Sequence, residues 1–172
     1  MKIGVLALQG NFREHLKSLL ALNIFGIEVK TIEDLNTVDM LIIPGGESTA
    51  MSIINPELIE SLKQSDIPMW GTCAGAILLS KIGKIDCVVI RNYYGSQMSS
   101  FQDIIDSRIE SLRGEGVFIR APYIKEITGN NVEILATLNN HPVAIKQKNI
   151  MITTFHPEMT DSLEWHKLFL IF

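Results

Sequence analysis

The chain of 172 residues has no long hydrophobic run. Its longest apolar stretches, such as Met40-Leu41-Ile42-Ile43, are strand-sized, far short of the roughly 20 residues a membrane-spanning helix needs. There is no stripe of Lys and Arg, and the net charge is −4; both argue against nucleic acid as a partner. Two cysteines in a chain of this length do not make a disulfide framework. The opening Ile3-Gly4-Val5-Leu6-Ala7-Leu8 lacks signal-peptide architecture, so a reducing cytoplasm is the expected compartment. No lysine follows the glycines of Pro44-Gly45-Gly46 in Walker fashion, which excludes a nucleoside-triphosphate loop. Internal repeats, low-complexity tracts and linkers are also lacking. One domain over residues 1–172 is expected, with no metal and no cofactor.

What is present is an apolar, globular composition: 47% hydrophobic and 20% charged residues. Apolar strands are read at Lys2–Leu8, Ile27–Ile32, Asp39–Ile43 and Pro68–Thr72. They alternate with helices at Phe12–Leu22, Thr49–Ile54 and Pro56–Gln64. Phe12, Leu16, Leu19 and Leu20 recur at helical spacing as the buried stripe of the first helix. Near-continuous apolar strands alternating with helices predict a parallel sheet covered on both faces. The second half has closely spaced strand patterns at Asp86–Ile90, Gly116–Arg120, Val132–Leu138, Pro142–Lys146 and Ile150–Thr154, with a turn at Asn139-Asn140-His141. A helix over Ser162–Ile171 closes the chain. The expected fold is α/β: a three-layer α/β/α sandwich around a mostly parallel mixed sheet, with antiparallel additions in the second half.

Gly71-Thr72-Cys73-Ala74-Gly75 places one cysteine between glycines, after an apolar strand and before the helical run Ala76-Ile77-Leu78-Leu79. This is the pattern of a nucleophile elbow, a strained strand-to-helix turn whose neighbours have to be small. The helix N-terminus beneath the sulfur favours negative charge. A lone cysteine is ordinarily a small buried hydrophobe, and Cys87, in Asp86-Cys87-Val88-Val89-Ile90, is read that way. Phe155-His156-Pro157-Glu158 follows another strand. In extended backbone, residues two apart face the same side, so Glu158 can hold one imidazole nitrogen of His156 while the other meets the thiol, as triad logic requires. His15, His141 and His166 are read as surface or packing residues. Pro44-Gly45-Gly46-Glu47-Ser48 is either a plain tight turn or a source of backbone N–H donors for an oxyanion. Arg91 and Arg120 end apolar strands, where a guanidinium can clamp a carboxylate. Gln9-Gly10, the glycine turn and the elbow all fall at strand carboxyl ends, where open α/β sheets collect ligands.

Taken together, these residues resemble the triad-type (class I) glutamine amidotransferases, and more narrowly the glutaminase subunits of pyridoxal 5′-phosphate synthases. The resemblance is carried by Leu8-Gln9-Gly10 with Glu14-His15, Pro44 to Thr49, Gly71 to Gly75, Arg91-Asn92, Tyr94-Gly95 and Gln97. Gly116 to Pro122, Phe155 to Glu158 and Thr160 complete it. It implies hydrolysis of L-glutamine to glutamate and ammonia, with Cys73 as nucleophile, His156 moving protons and Glu158 orienting it. It further implies Gly46 and Ala74 as oxyanion donors. Gly46, Glu47, Ser48, Arg91, Ile119 and Arg120 match glutamine-binding positions, and Gln9 matches a residue coupled to the partner. That partner is a separate synthase subunit that receives the ammonia and builds pyridoxal 5′-phosphate. A glutaminase serving another pathway and a non-catalytic scaffold are the alternatives. The sequence departs from the family pattern at Ser96, where an Arg is usual, at Gln102, and in the short segment Lys81–Ile85.

Overall fold

The computed structural model describes residues 1–91 and 100–172, without the side chains of Ser48 and Ser52. The Asn92, Tyr94-Gly95, Ser96 and Gln97 positions of the resemblance lie outside the described residues. The first half runs β1 (Ile3–Leu6), α1 (Phe12–Ala21), β2 (Ile27–Val29), α2 (Ile32–Leu35), β3 (Met40–Ile43), α3 (Ser48–Ile54), α4 (Pro56–Gln64), β4 (Met69–Thr72) and α5 (Ala74–Lys81). The second runs β5 (Cys87–Ile90), β6 (Ser100–Ser107), β7 (Gly114–Ile119), β8 (Tyr123–Ile127), β9 (Glu133–Leu138), β10 (His141–Gln147), β11 (Ile150–Thr153) and α6 (Glu164–Phe169). Short 3₁₀ turns occupy Glu110–Leu112 and Pro157–Met159.

Among the described residues one sheet has the order β2-β1-β3-β4-β11-β10-β9-β6-β7, and β5 pairs with β8 in a separate ribbon. The first five strands of that order are mutually parallel. From β10 outward the pairing is antiparallel, so β10, β9 and β7 are the expected additions on one side of the sheet, whereas β5 lies off the sheet with β8 and β11 is parallel to β4. Alternation along the central strands divides the core into two layers. Leu41, Ile43, Met69, Ile150 and Ile152 pack with Leu58, Leu62, Ala76 and Leu79 of α4 and α5. Met40, Ile42, Trp70 and Met151 pack on the other face with Leu19, Trp165 and Phe169 of α1 and α6. Each large apolar side chain buried this way contributes about 1.5–3 kcal/mol, and β1, β3, β4 and β11 are buried along their full length.

The structure corrects several expectations. The second strand stops at Val29 rather than Ile32, because Thr31 and Asp34 form a capping box: Thr31 Oγ1 accepts from Asp34 N at 3.1 Å while Asp34 Oδ2 accepts from Thr31 N at 3.0 Å. That turns Ile32 into the first residue of α2. Leu19 is buried and Phe12 and Leu16 pack against the core as expected, but Leu20 is 62% exposed, and His15 and Ser18 complete the buried face of α1. The closing helix is only Glu164–Phe169, and Arg120 leaves β7 with φ 44° instead of continuing it. Strands β6 and β8 were not expected. The pattern of β6, SFQDIIDS, is mostly exposed along its length, so hydrophobic alternation carries little signal there. His141 opens β10 and stacks on Tyr123 at 3.7 Å. The turn before it is made by Asn139 and Asn140, both at positive φ, a backbone that asparagine tolerates.

Candidate active site

β4 and β11 are neighbours at the centre of the sheet, with Thr72 opposite Thr153. One residue past Thr72 is Cys73; three past Thr153 is His156. This register alone brings the two side chains to the same strand end. Cys73 takes φ 47°, ψ −103°, a conformation that costs roughly 1–3 kcal/mol for a non-glycine residue. Its N–H donates to Thr153 O at 2.8 Å, which anchors the turn. A Cβ on Gly71 would fall 2.5 Å from the Gly75 backbone, and one on Gly75 would fall 2.1 Å from Ile43 O. The elbow therefore closes only with glycine at both positions.

His156 Nδ1 lies 2.7 Å from Glu158 Oε1, and both side chains are almost wholly buried. The expectation that these two share a face holds, but for a different reason. Pro157 starts a 3₁₀ turn, so the pair meets across a tight turn rather than along extended backbone. Burial disfavours the imidazolium, yet hydrogen bonds to Cys73 and Glu158 and their negative charge outweigh it. The His156 pKa is pushed up to about 10. Glu158 is held down at about 2: burial raises it, and His15 and His156 overcome that. Cys73 Sγ also lies 3.9 Å from Ile119 O.

A cavity of about 350 Å³ opens over the sulfur, lined by Asn11, Gly46, Glu47, Cys73, Ala74, Ile77, Arg91, Ile119, Arg120 and His156. Gly45 packs directly on the imidazole; a Cβ there would lie 2.3 Å from His156 Cε1. Gly45 O accepts from Asn11 N at 3.0 Å. The Gly46 N–H, on the same trans peptide, points the opposite way. Ala74 is the first residue of α5, and such N–H groups have no partner within their own helix. At the rim, Arg91 Nη1 meets Glu47 Oε1 at 3.1 Å. Glu47 also caps α3, accepting from Thr49 N and Ala50 N, and these bonds lower its pKa. Gln9 Nε2 donates to Glu47 O at 2.6 Å. A thiol, an imidazole and a carboxylate in series, with amides and arginines around one cavity, can carry acyl transfer from an amide to sulfur.

Residues 5–171 match the model of the SNO glutamine amidotransferase family. The chain belongs to that family. A pyridoxal 5′-phosphate synthase subunit PdxT from Caldicellulosiruptor saccharolyticus is 47% identical, covering 98% of this chain and 96% of that protein. The protein of the same name from Thermotoga petrophila is 45% identical over 99% and 98%. A crystal structure of a glutamine amidotransferase superimposes with TM-score 0.90 at 36% identity, covering 99% of this chain and 98% of that one. A glutamine amidotransferase from Thermotoga maritima, at TM-score 0.68 and 14% identity over 99% of this chain and 83% of that one, shares the fold.

Within this amidotransferase fold the cavity gathers Gly46, Glu47, Cys73, Ala74, Arg91, Ile119, Arg120 and His156 as expected, with Glu158 behind the imidazole and Gln9 bonded to Glu47. The side chain of Ser48 is outside the described residues. Three residues escaped sequence reading. Asn11 lines the cavity, and its Nδ2 reaches Glu158 Oε1 and His156 Nδ1, each at 3.3 Å. His15 and His166 are fully buried; His15 Nε2 lies 3.4 Å from Glu158 Oε2, and His166 Nε2 lies 3.0 Å from His15 Nδ1 behind it. The one signal available for His15 was its place on the inward stripe of α1, one turn beyond Asn11.

Proposed function

We propose that this chain is the glutaminase component of a pyridoxal 5′-phosphate synthase, the whole of residues 1–172 acting as one glutaminase domain in the cytoplasm. The observation that carries the reading is the convergence of Cys73, His156 and Glu158 beneath one cavity whose rim holds paired opposite charges. L-glutamine presents an ammonium and a carboxylate at one end and an amide at the other. Glu47 faces the ammonium, Arg91 and Arg120 take the carboxylate, and Ile119 with the Gly46–Ser48 backbone aligns the chain.

His156 already holds the proton of the thiol, and Cys73 Sγ attacks the amide carbon beside that imidazolium. The resulting oxyanion is held by the N–H groups of Gly46 and Ala74. Collapse breaks the C–N bond, and His156 returns the proton to the departing nitrogen, releasing ammonia. Water then attacks the thioester with His156 as base, and glutamate leaves. Glu158 fixes the imidazole tautomer throughout. The ammonia passes to a synthase subunit. The Gln9–Glu47 bond links the turn after β1 to the oxyanion strand end, so docking there is felt at the site.

Glutamate and ammonia release is measured with and without the synthase subunit, for wild type and Cys73→Ala. The expected result is equimolar release by wild type, stimulated by the synthase, and none by Cys73→Ala, whose circular dichroism is unchanged. The Cys73→Ala complex still makes pyridoxal 5′-phosphate from added ammonium salt. Activity retained by folded Cys73→Ala overturns the chemistry. Glutamine hydrolysis without binding to the synthase points to a glutaminase serving another acceptor.

A further inference from the structure

Glu158 has two oxygens, and the triad uses one. Oε1 takes His156 Nδ1 and Asn11 Nδ2. Oε2 faces the protein interior, where His15 Nε2 lies 3.4 Å away and both side chains are fully buried. Among the described residues Oε2 makes no hydrogen bond of regular geometry, so the His15 contact is an electrostatic one. We propose that His15 is a positioning residue for this site: its Nε2–H holds the second oxygen of Glu158, and His166 sets the tautomer that makes this possible.

His15 Nδ1 lies 3.0 Å from His166 Nε2, and His15 Nε2 lies 3.2 Å from Thr72 Oγ1 as well as facing Glu158. Burial lowers both imidazoles below the ordinary histidine range, His166 to about 3, so each carries one ring proton. If His15 were protonated on Nδ1, its Nε2 lone pair would face a buried carboxylate. His166 would then have to accept at Nε2 and carry its own proton on Nδ1, which has no partner. That arrangement orphans a buried donor and sets lone pair against negative charge. In the opposite arrangement His166 Nε2–H donates to His15 Nδ1, and His15 Nε2–H donates toward Glu158 Oε2 and Thr72 Oγ1. Only a weak acceptor, His166 Nδ1, is left bare.

The groups facing His15 come from every packed element. Glu14 is on its own helix, Glu158 is on the 3₁₀ turn, and His156 immediately precedes that turn. Thr72 and the Trp70 ring edge come from β4, and His166 comes from α6. With Nε2–H directed at Oε2, rotation of the carboxylate away from His156 is opposed. This inference rests on the glutaminase reading for its kinetic arm only.

The test compares wild type, His15→Gln, whose amide nitrogen replaces Nε2, and His15→Leu, which fills the space without a donor. Hydrogen bonds to buried charge set the scale: kcat for His15→Leu is expected to fall about 10- to 100-fold. KM should move less than about threefold, because no substrate contact is lost. The acid limb of its kcat profile moves to higher pH, since a Glu158 lacking a donor binds protons more readily. His15→Gln recovers most of the loss and the wild-type limb. Separately, ¹⁵N spectra of the histidine rings in the resting wild-type protein are expected to put the proton of His15, and of His166, on Nε2. Folded His15→Leu with wild-type kcat overturns the proposal; so do equal losses in Leu and Gln variants with an unshifted profile. A His15 proton on Nδ1 overturns it without reference to activity. If wild type hydrolyses no glutamine, the glutaminase reading fails, and the spectra still decide this one.

Discussion

Glu158 stands between two histidine environments, and they behave oppositely. On the cavity side His156 faces a thiol and a carboxylate, and its pKa is pushed up to about 10. On the core side His166 is as deeply buried, but its neighbours are His15 and Trp70, and it falls to about 3. Desolvation acts on both in the same direction. What separates them is direct contact with negative charge. The same imidazole is thereby made a proton carrier in front of the carboxylate and a neutral hydrogen-bonding spacer behind it.

The largest disturbance of this division comes from Gly45→Ala. The added methyl would sit 2.3 Å from His156 Cε1 and 3.3 Å from Cys73 Cβ, so the imidazole has to move. Displacement of about 1 Å at a reacting centre costs about 100-fold in rate, and glutamine hydrolysis should fall by that much or more. Thermal unfolding, read alongside, separates misplacement from loss of fold.

Acid stability probes the core side. His15 and His166 have pKa values lowered by folding, and Glu158 is likewise lowered to about 2. The unfolded chain therefore binds more protons than the folded one below the ordinary histidine range. Stability is present above that range and is lost as pH falls, for each proton withheld by about 1.4 kcal/mol per pH unit. Urea midpoints should drop from neutral pH toward pH 5 (about two units below neutral), and His166→Phe should flatten the decline.

Asn11→Ala gives the smallest effect. Its two contacts are long, at 3.3 Å, and are shared by His156 and Glu158. A rate loss of about 3- to 10-fold corresponds to an ordinary hydrogen bond. Loss as large as that of Gly45→Ala would mean that Asn11, rather than the glycine turn, positions the imidazole.

The cavity side was legible in the sequence because each of its parts is local. The glycines around Cys73, the Gly45-Gly46 turn and the His156-Pro157-Glu158 segment each announce themselves within five residues. The parallel half of the sheet was legible for a similar reason, since MLII, MWGT and IMIT are buried along their whole length. The core side was not. His15, Thr72, Glu158 and His166 come from four elements, and His15 and His166 are 151 positions apart. A histidine on an apolar helix stripe looks alike whether it packs or bonds. Strand β6 failed for a complementary reason: Asp103 and Ser107 share the inward face with Phe101 and Ile105 while Ile104 is exposed, so the apolar alternation is lost.

Following the protonation of the three rings in one ¹⁵N-labelled sample tests the account most directly. It predicts that at about pH 8 His156 still carries protons on both nitrogens while His15 and His166 carry one each, and that His166 stays singly protonated on acidification to about pH 5. A His156 that is neutral at pH 8, or a His166 that takes up its second proton near the ordinary value of about 6.5, would contradict it.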